Sequence, residues 1–361
     1  MNGVIIVRKE KGMTSFGVVA AMRRIFSIKK IGHTGTLDPD AEGVLPVCIG
    51  RATKLVESLT RGTKTYRADL LLGVVTDTQD TTGTVLYESP VTVSEEEVRD
   101  TILSFFGKQK QLPPMYSAVK VNGQKLVDLA RRGIEVERKE RDVEFLDIRI
   151  LSVDLPKVTF EVTCSHGSYI RTLCHDIGQK LGCGGAMDAL VRTRVGEFAI
   201  EDALTLDEIR ERKAAEDAVH RENVPADTDD LVIKSDGINA GPEDLSGQAG
   251  GMLAGTGDLS AKAVSESIGN ERITRHSAGK RTSYSFLIPI DYFYRNLQEV
   301  HLAGAYLPMV LSGNPVAVEE TTGQEIPKGT EVRLYAEDGA FIGVYRRGRH
   351  RLRLVKYFYE D

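Results

Sequence analysis

No phenylalanine, tyrosine or tryptophan occurs between Ala199 and Ser283, and this gap limits the folds open to the chain more than any other feature. Aromatic side chains supply roughly 150–250 Å² of buried surface each and dominate core energetics. Within the gap, Gly237 to Gly257 is mostly Gly, Ala, Ser, Asp and Glu. Such a composition buries too little apolar surface to offset the entropy of ordering it. A flexible insertion is therefore expected at about 214–283, with room for a short helix at Leu259–Ile268. Packed sequence lies on either side of it and resumes at Tyr284.

The same stretch settles how the charge is read. Ala214 to Ser283 holds 12 Asp/Glu against 7 Lys/Arg, so it carries the whole net charge of -5. The remainder is neutral, and affinity for a nucleic acid has to come from local basic patches. Four cysteines, with no C-x-x-C pair, do not make a disulfide framework. Apolar runs such as Gly3–Val7 are strand-sized, far short of a membrane span. Arg8 and Lys9 interrupt the N-terminus too early for a signal-peptide core. A cytoplasmic protein with no membrane association is expected.

Periodicity predicts an α+β fold. Gly3–Val7 reads as a strand, followed by a helix capped at Ser15 with Val18, Met22 and Ile25 on one face. Ser94 and Glu97 form a capping box ahead of Val98, Ile102 and Phe105. Tyr66, Ala68, Leu70 and Leu72 alternate as a half-buried strand does, and so do Val158, Phe160, Val162 and Cys164. Ile170, Leu173, Cys174, Ile177 and Leu181 make the stripe of a helix, with Ser168 as its expected N-cap. Beyond His301, short strand-like runs between turns predict a small β-barrel. It ends in Arg346, Arg347, Arg349, Arg351, Arg353 and Lys356, interleaved with Tyr345, Leu352, Leu354, Tyr357 and Phe358. That pattern suits either a phosphate-tracking strand pair or a solvated edge.

Chemistry concentrates in Gly32-His33-Thr34-Gly35-Thr36-Leu37-Asp38-Pro39, where two glycines and a proline enforce an irregular loop. No Gly-Lys-Ser/Thr follows, so it is not a phosphate loop. Asp77-Thr78-Gln79-Asp80 lacks the Gly and Glu of a calcium loop. Arg171 falls in the first turn of its helix, where the macrodipole disfavours a cation, and so calls for a partnered carboxylate.

These segments, with Gly43-Val44-Leu45-Pro46, Lys64-Thr65-Tyr66, Asp77–Gly83, Pro113–Ala118, Gly167–Leu173 and Leu190–Arg194, resemble the TruB family of bacterial tRNA pseudouridine synthases. The resemblance runs through most of residues 3–210 and resumes weakly at Leu287-Ile288-Pro289. It implies a pseudouridine-synthase catalytic domain with a mixed, mainly antiparallel sheet over residues 1–302, insertion included. A small PUA-like RNA-binding β-barrel would follow at 303–361. It also implies isomerisation of a uridine in the T-loop of tRNA, at position 55, with no cofactor and no metal. Asp38 would be the nucleophile, Arg171 its ion-pair partner, and Tyr66 the ring stacked on the flipped base and a proton relay. Tyr169 and Leu190 would wall the base, and His33 would fill the gap it leaves. Lys64, together with Arg131 and Arg132 of the Lys120–Arg141 stretch, would hold the RNA. His166 and Ser168 depart from the family pattern.

Three other readings were weighed. A non-catalytic RNA-binding protein needs neither Asp38 nor Arg171. A metal protein would use Cys164, His166, Cys174, His175 and Cys183, although Cys164 and Cys174 fall on apolar faces where core thiols are expected. A guide-RNA-dependent isomerase shares the Asp loop. The resemblance points instead to a monomer acting on the T-arm stem-loop alone, with an unknown partner for the 214–283 stretch. Closing a surface loop costs little and varies slowly with its length. Replacing Ala214–Ser283 by a short Gly/Ser linker is therefore expected to leave fold and kcat/KM on tRNA intact. Circular dichroism and steady-state kinetics check this, and a misfolded or inactive variant would contradict it.

Overall fold

The N-terminal apolar run Gly3–Lys9 forms β1, buried along its length except at Arg8. In this computed structural model residues 1–222 and 284–359 are described. In chain order there follow α1 (Ser15–Phe26), β2 (Ile31–His33), β3 (Glu42–Ile49), α2 (Val56–Thr60) and β4 (Lys64–Leu72). Next come the hairpin β5 (Val74–Thr76) and β6 (Val85–Glu88), then α3 (Glu95–Leu103) and β7 (Gly107–Gln111). A small hairpin of β8 (Lys120–Val121) and β9 (Gln124–Lys125) leads into α4 (Leu126–Ala130). The last group before the described residues break off is β10 (Arg141–Asp154), β11 (Lys157–Cys164), α5 (Ile170–Leu181), β12 (Gly185–Val195), β13 (Phe198–Ala199) and α6 (Leu206–Glu222).

Nine of these strands form one sheet in the order β1-β3-β12-β4-β11-β10-β7, with β2 beside β3 and β13 beside β12. All pairings are antiparallel except β3 with β12, so the sheet is mixed and mainly antiparallel. The alternation read in β4 and β11 puts Tyr66, Ala68, Leu70, Val158, Phe160 and Val162 on one face. There α3 and α5 cover them with Val98, Ile102, Ile170, Leu173 and Ile177. At the β1 end, Val18, Val19 and Met22 of α1 pack on Ile5, Val7, Leu45 and Val47. The other face of that end carries Val4, Ile6, Val44 and Cys48 against Ile290 and Phe358.

The outer edge of β1 is closed by backbone from both sides of the aromatic gap. Val4 and Ile288 exchange N–H···O bonds of 2.8 and 2.9 Å, Arg8 N donates to Leu204 O at 2.8 Å, and Leu204 N donates to Ile6 O at 2.9 Å.

Several local expectations change. The Ser94–Glu97 capping box is present in both directions. However, α1 is capped by Thr14, whose Oγ1 accepts from Gly17 N at 2.9 Å. Ser168 does not cap α5, because its hydroxyl turns back to Ser165 O at 3.0 Å and leaves Tyr169 as a cap without a side-chain bond. Ala214, the expected start of the insertion, lies inside α6, whose Leu206 and Ile209 pack under α1. The remainder of that stretch, Leu259–Ile268 included, lies outside the described residues. Met1–Ala214 and His276–Asp361 make one compact unit. Of a second unit, Ala215–Arg275, only the end of α6 is described.

The C-terminal strands are β14 (Gln298–His301), β15 (Val316–Ala317), β16 (Glu331–Tyr335), β17 (Phe341–Arg347) and β18 (Arg351–Tyr357), with α7 (Leu307–Leu311) between β14 and β15. They form a sheet in the order β14-β16-β17-β18-β15, whose own core includes Val300, Val332, Leu334, Tyr345 and Leu352. Its edge strand β14 precedes the expected boundary at 303, and its two edge strands do not pair with each other. Among the described residues no helix is long and apolar enough to cross a membrane.

Where β3 meets β12, Gly43 faces Arg192 at φ +114°, and a Cβ there would come 2.2 Å from the Arg192 carbonyl oxygen. Both the left-handed strain and the clash with backbone act against a side chain. Gly43→Ala is expected to cost about 3 kcal/mol. A loss below about 1 kcal/mol in a denaturant titration would show that the β3–β12 junction yields easily.

Candidate active site

The loop from Thr34 to Ala41 joins β2 to β3 and is held from four sides. Lys9, fully buried at the end of β1, donates its ammonium to Glu10 O (3.0 Å), Pro39 O (3.0 Å) and Ala41 O (2.6 Å). Burial lowers its pKa to about 8. Ser15, free of capping duty, brackets Leu37: its Oγ donates to Leu37 O at 3.1 Å and accepts from Leu37 N at 2.9 Å. Arg192, 1% exposed, reaches from β12 to Val44 O (2.7 Å) and Gly35 O (3.2 Å).

The fourth tie is Arg171. It is 5% exposed, so an unpaired charge there would cost several kcal/mol. Five oxygens lie within 3.5 Å of its nitrogens, three of them hydrogen-bonded. Nε meets Asp38 Oδ2 at 3.1 Å, and Nη2 reaches Asp38 Oδ1 at 3.4 Å and Tyr116 O at 2.8 Å. Nη1 reaches Thr78 O at 3.1 Å and Asp80 Oδ2 at 3.5 Å. The fork aims the carboxylate, as a planar guanidinium does and an ammonium cannot. It also divides one positive charge between two carboxylates. Burial, helped by Asp80, outweighs the attraction of Arg171, and the Asp38 carboxyl titrates above its usual range.

Asp38 opens on a cavity of about 470 Å³. Its side chain keeps 40% exposure on the cavity side. Tyr66, Leu190, Tyr169 and Lys64 line the same space, with Tyr116, Ser117, Ala118 and Val127 opposite. Burial keeps the Tyr66 hydroxyl protonated, with the Arg192 charge acting the other way. Lys64 turns its ammonium onto Thr60 O and Gly62 O, and burial lowers its pKa to about 8. Tyr169 is fixed through its backbone, since the Gln111 side chain accepts from its N–H at 2.9 Å and donates to its carbonyl at 3.1 Å.

Six of the nine residues singled out in the sequence thus converge: Asp38, Arg171, Tyr66, Tyr169, Leu190 and Lys64. His33 is half-buried at the end of β2, its imidazole held toward the neutral form by burial, and it does not line the cavity. Arg131 and Arg132 are exposed beyond α4, also off the lining. Five residues that position the loop or its neighbours were given no site role in the sequence reading: Lys9, Ser15, Asp80, Gln111 and Arg192. A usable signal existed for two. Lys9 and Arg192 are charges within strands whose apolar residues pack into the core. Among the described residues no three His, Cys, Asp or Glu side chains gather as a metal site. The cysteines are buried, and desolvation raises the thiol of Cys48 to about 12 and that of Cys164 to about 11.

This geometry can be set beside known proteins. Residues 23–170 match the model of the TruB family pseudouridylate synthase N-terminal domain, and residues 171–229 that of the tRNA pseudouridylate synthase B C-terminal domain. A tRNA pseudouridine synthase B of Alkaliphilus oremlandii is 51% identical over 217 residues, covering 60% of this chain and 73% of the relative. One of Clostridium tetani is 52% identical over 217 residues, covering 60% and 75%. Among solved structures, an H/ACA RNP bound to a substrate RNA containing 2'-deoxyuridine matches with a TM-score of 0.58 at 21% identity, over 99% of this chain and 85% of the other. That last likeness concerns the fold. With the level of identity to the bacterial relatives, the two domain matches establish that the chain belongs to the TruB family of pseudouridylate synthases.

Proposed function

We propose that this protein isomerises a uridine in the T-loop of tRNA, at position 55, to pseudouridine, with Asp38 as nucleophile. The observation that carries the reading is the Asp38 carboxylate, gripped by the buried Arg171 and open to a cavity walled by Tyr66, Tyr169 and Leu190. The reaction breaks the N1–C1′ bond of uridine, turns the base and joins C5 to the same C1′. The C5 proton leaves and N1 regains one. A carboxylate that adds covalently keeps the fragments together during the turn, and neither oxidant nor reductant enters the balance.

A base paired or stacked in RNA must leave its stack to reach such a cavity. Tyr66 offers a ring for the flipped base, and its neutral hydroxyl can pass a proton on. Arg171 supplies the opposing charge that offsets part of the desolvation of Asp38 and favours its ionised form. Lys64, with both its observed bonds to loop carbonyls, acts in this reading on the cavity wall. His33, Arg131 and Arg132 meet the RNA outside the cavity. The C-terminal sheet is read as a PUA-like module, in which the exposed Arg351 and Arg353 of β18 face phosphates. In this reading the monomer works in the cytoplasm on the bare T-arm, without a guide RNA.

Pure protein with a T-arm hairpin, followed by nucleotide-resolution mapping of pseudouridine, tests the whole reading, and an unmodified hairpin overturns it. Asp38→Asn is expected to keep tRNA affinity within about two-fold and lose at least about 10³-fold in single-turnover rate, since a neutral amide is a poor nucleophile. A rate near wild type would remove Asp38 from the mechanism. Arg171→Lys is expected to slow the reaction by about 10²-fold or more, because one ammonium cannot reproduce the fork on Asp38 and its other acceptors. An unchanged rate would show that the fork does not aim the nucleophile.

A further inference from the structure

The face of the central sheet turned away from the cavity carries a second concavity, of about 660 Å³. We propose that it is a phosphate-binding groove for an RNA strand other than the one entering the cavity, an inference that rests on the substrate being RNA.

The strand pairing explains why the groove is basic. On β4, Tyr66 and Ala68 face the core, so Arg67 faces the other way. Arg67 stands opposite Glu161 of β11 and Val191 of β12, and Glu161 stands opposite Arg149 of β10. Arg194 of β12 and Arg8 of β1 close the groove from the far side. It therefore has four guanidinium groups against the carboxylates of Glu161 and Glu201.

Glu161 is already engaged by Arg149 at 2.7 Å. Arg194 makes one bond, to Glu197 O at 3.2 Å. Among the described residues none of Arg8, Arg67 and Arg194 makes an ion pair. Arg8 does no more than add the smallest of the downward pulls on the carboxyl of Glu208. Four guanidinium groups against two carboxylates leave the concavity with an excess of positive charge, and an anion relieves the repulsion. Arginine is also the cation whose planar fork fits phosphate oxygens.

Span selects the ligand. Arg149 to Arg194 crosses three strand spacings, about 14 Å. A single phosphate would meet one or two of the arginines, whereas a nucleic-acid backbone lying across the strands would meet all of them. None of these side chains lines the cavity.

The test uses the full chain with the cavity saturated by unlabelled T-arm hairpin. Labelled oligoadenylate, which has no uridine to isomerise, is then titrated at several salt concentrations. Wild type is expected to bind it with a steep salt dependence. Arg8→Gln/Arg67→Gln/Arg194→Gln is expected to bind it about tenfold more weakly, with a log–log salt slope shallower by about two. The triple variant should isomerise the hairpin at the wild-type rate, which also shows that it is folded. Equal oligoadenylate affinity and slope in the two proteins would overturn the proposal, as would displacement of all the oligoadenylate by hairpin. Inorganic phosphate competing as well as the oligonucleotide, at equal phosphate concentration, would identify a small-anion site and overturn the RNA reading. A wild-type protein that leaves the hairpin unmodified would count against the enzymatic assignment without deciding about the groove.

Discussion

The geometry of the candidate site depends on one guanidinium with five oxygens within 3.5 Å. Arg171 is buried at the start of α5, a poor place for a cation on dipole grounds alone. What compensates is a set of oxygens drawn from three separate segments: Asp38, Thr78 with Asp80, and Tyr116. The side chain thus binds the Asp38 loop, the Thr78–Asp80 turn and the Tyr116 segment to one helix. It is as much the keystone of that corner of the fold as a partner of the carboxylate.

The electrostatics of the corner come from competition between terms of similar size. Desolvation favours a neutral Asp38, Arg171 favours a charged one, and Asp80 takes part of the arginine's attention. The outcome is a carboxyl group less acidic than one in water, facing a cavity that is largely apolar. Weakly solvated carboxylates are better nucleophiles than hydrated ones, because fewer hydrogen bonds must be broken before they attack. The positioning side chains around it, Lys9, Ser15 and Arg192, bond to backbone of the loop and its flanks. They fix where Asp38 sits without adding to what it bonds.

How much of this was legible depended on the range of the interaction. Period-two and period-3.6 patterns gave β4, β11 and α5 because those elements each have one apolar face. That Arg171 needs a carboxylate was legible because a cation in a first helical turn is locally anomalous, whereas its pairing with Asp38 came from the family resemblance. Ser15 was misread as a cap: Thr14 and Ser15 have the same local chemistry, and only the distant Leu37 distinguishes them. Gln111 gave no signal at all, since its bonds to Tyr169 span 58 residues. The placement of His33, Arg131 and Arg132 outside the cavity likewise depends on loop paths that residue types do not encode. The early start of the C-terminal sheet was missed because β14 is a four-residue strand with one buried apolar residue, Val300.

The closure of the β1 edge has a consequence of another kind. Leu204 and Ile288 stand on either side of the aromatic-free stretch, yet they bond to Ile6 and Val4, two residues apart on the same strand. Two residues of strand span about 7 Å, so the chain leaves the sheet and returns to it at nearly one point. A segment whose ends are clamped so close together exerts little strain on the sheet, and its closing entropy changes only logarithmically with length. The fold therefore has a port at this edge through which sequence can be gained, lost or exchanged over evolutionary time. A protein engineer could use the same port to seat a guest domain on the enzyme.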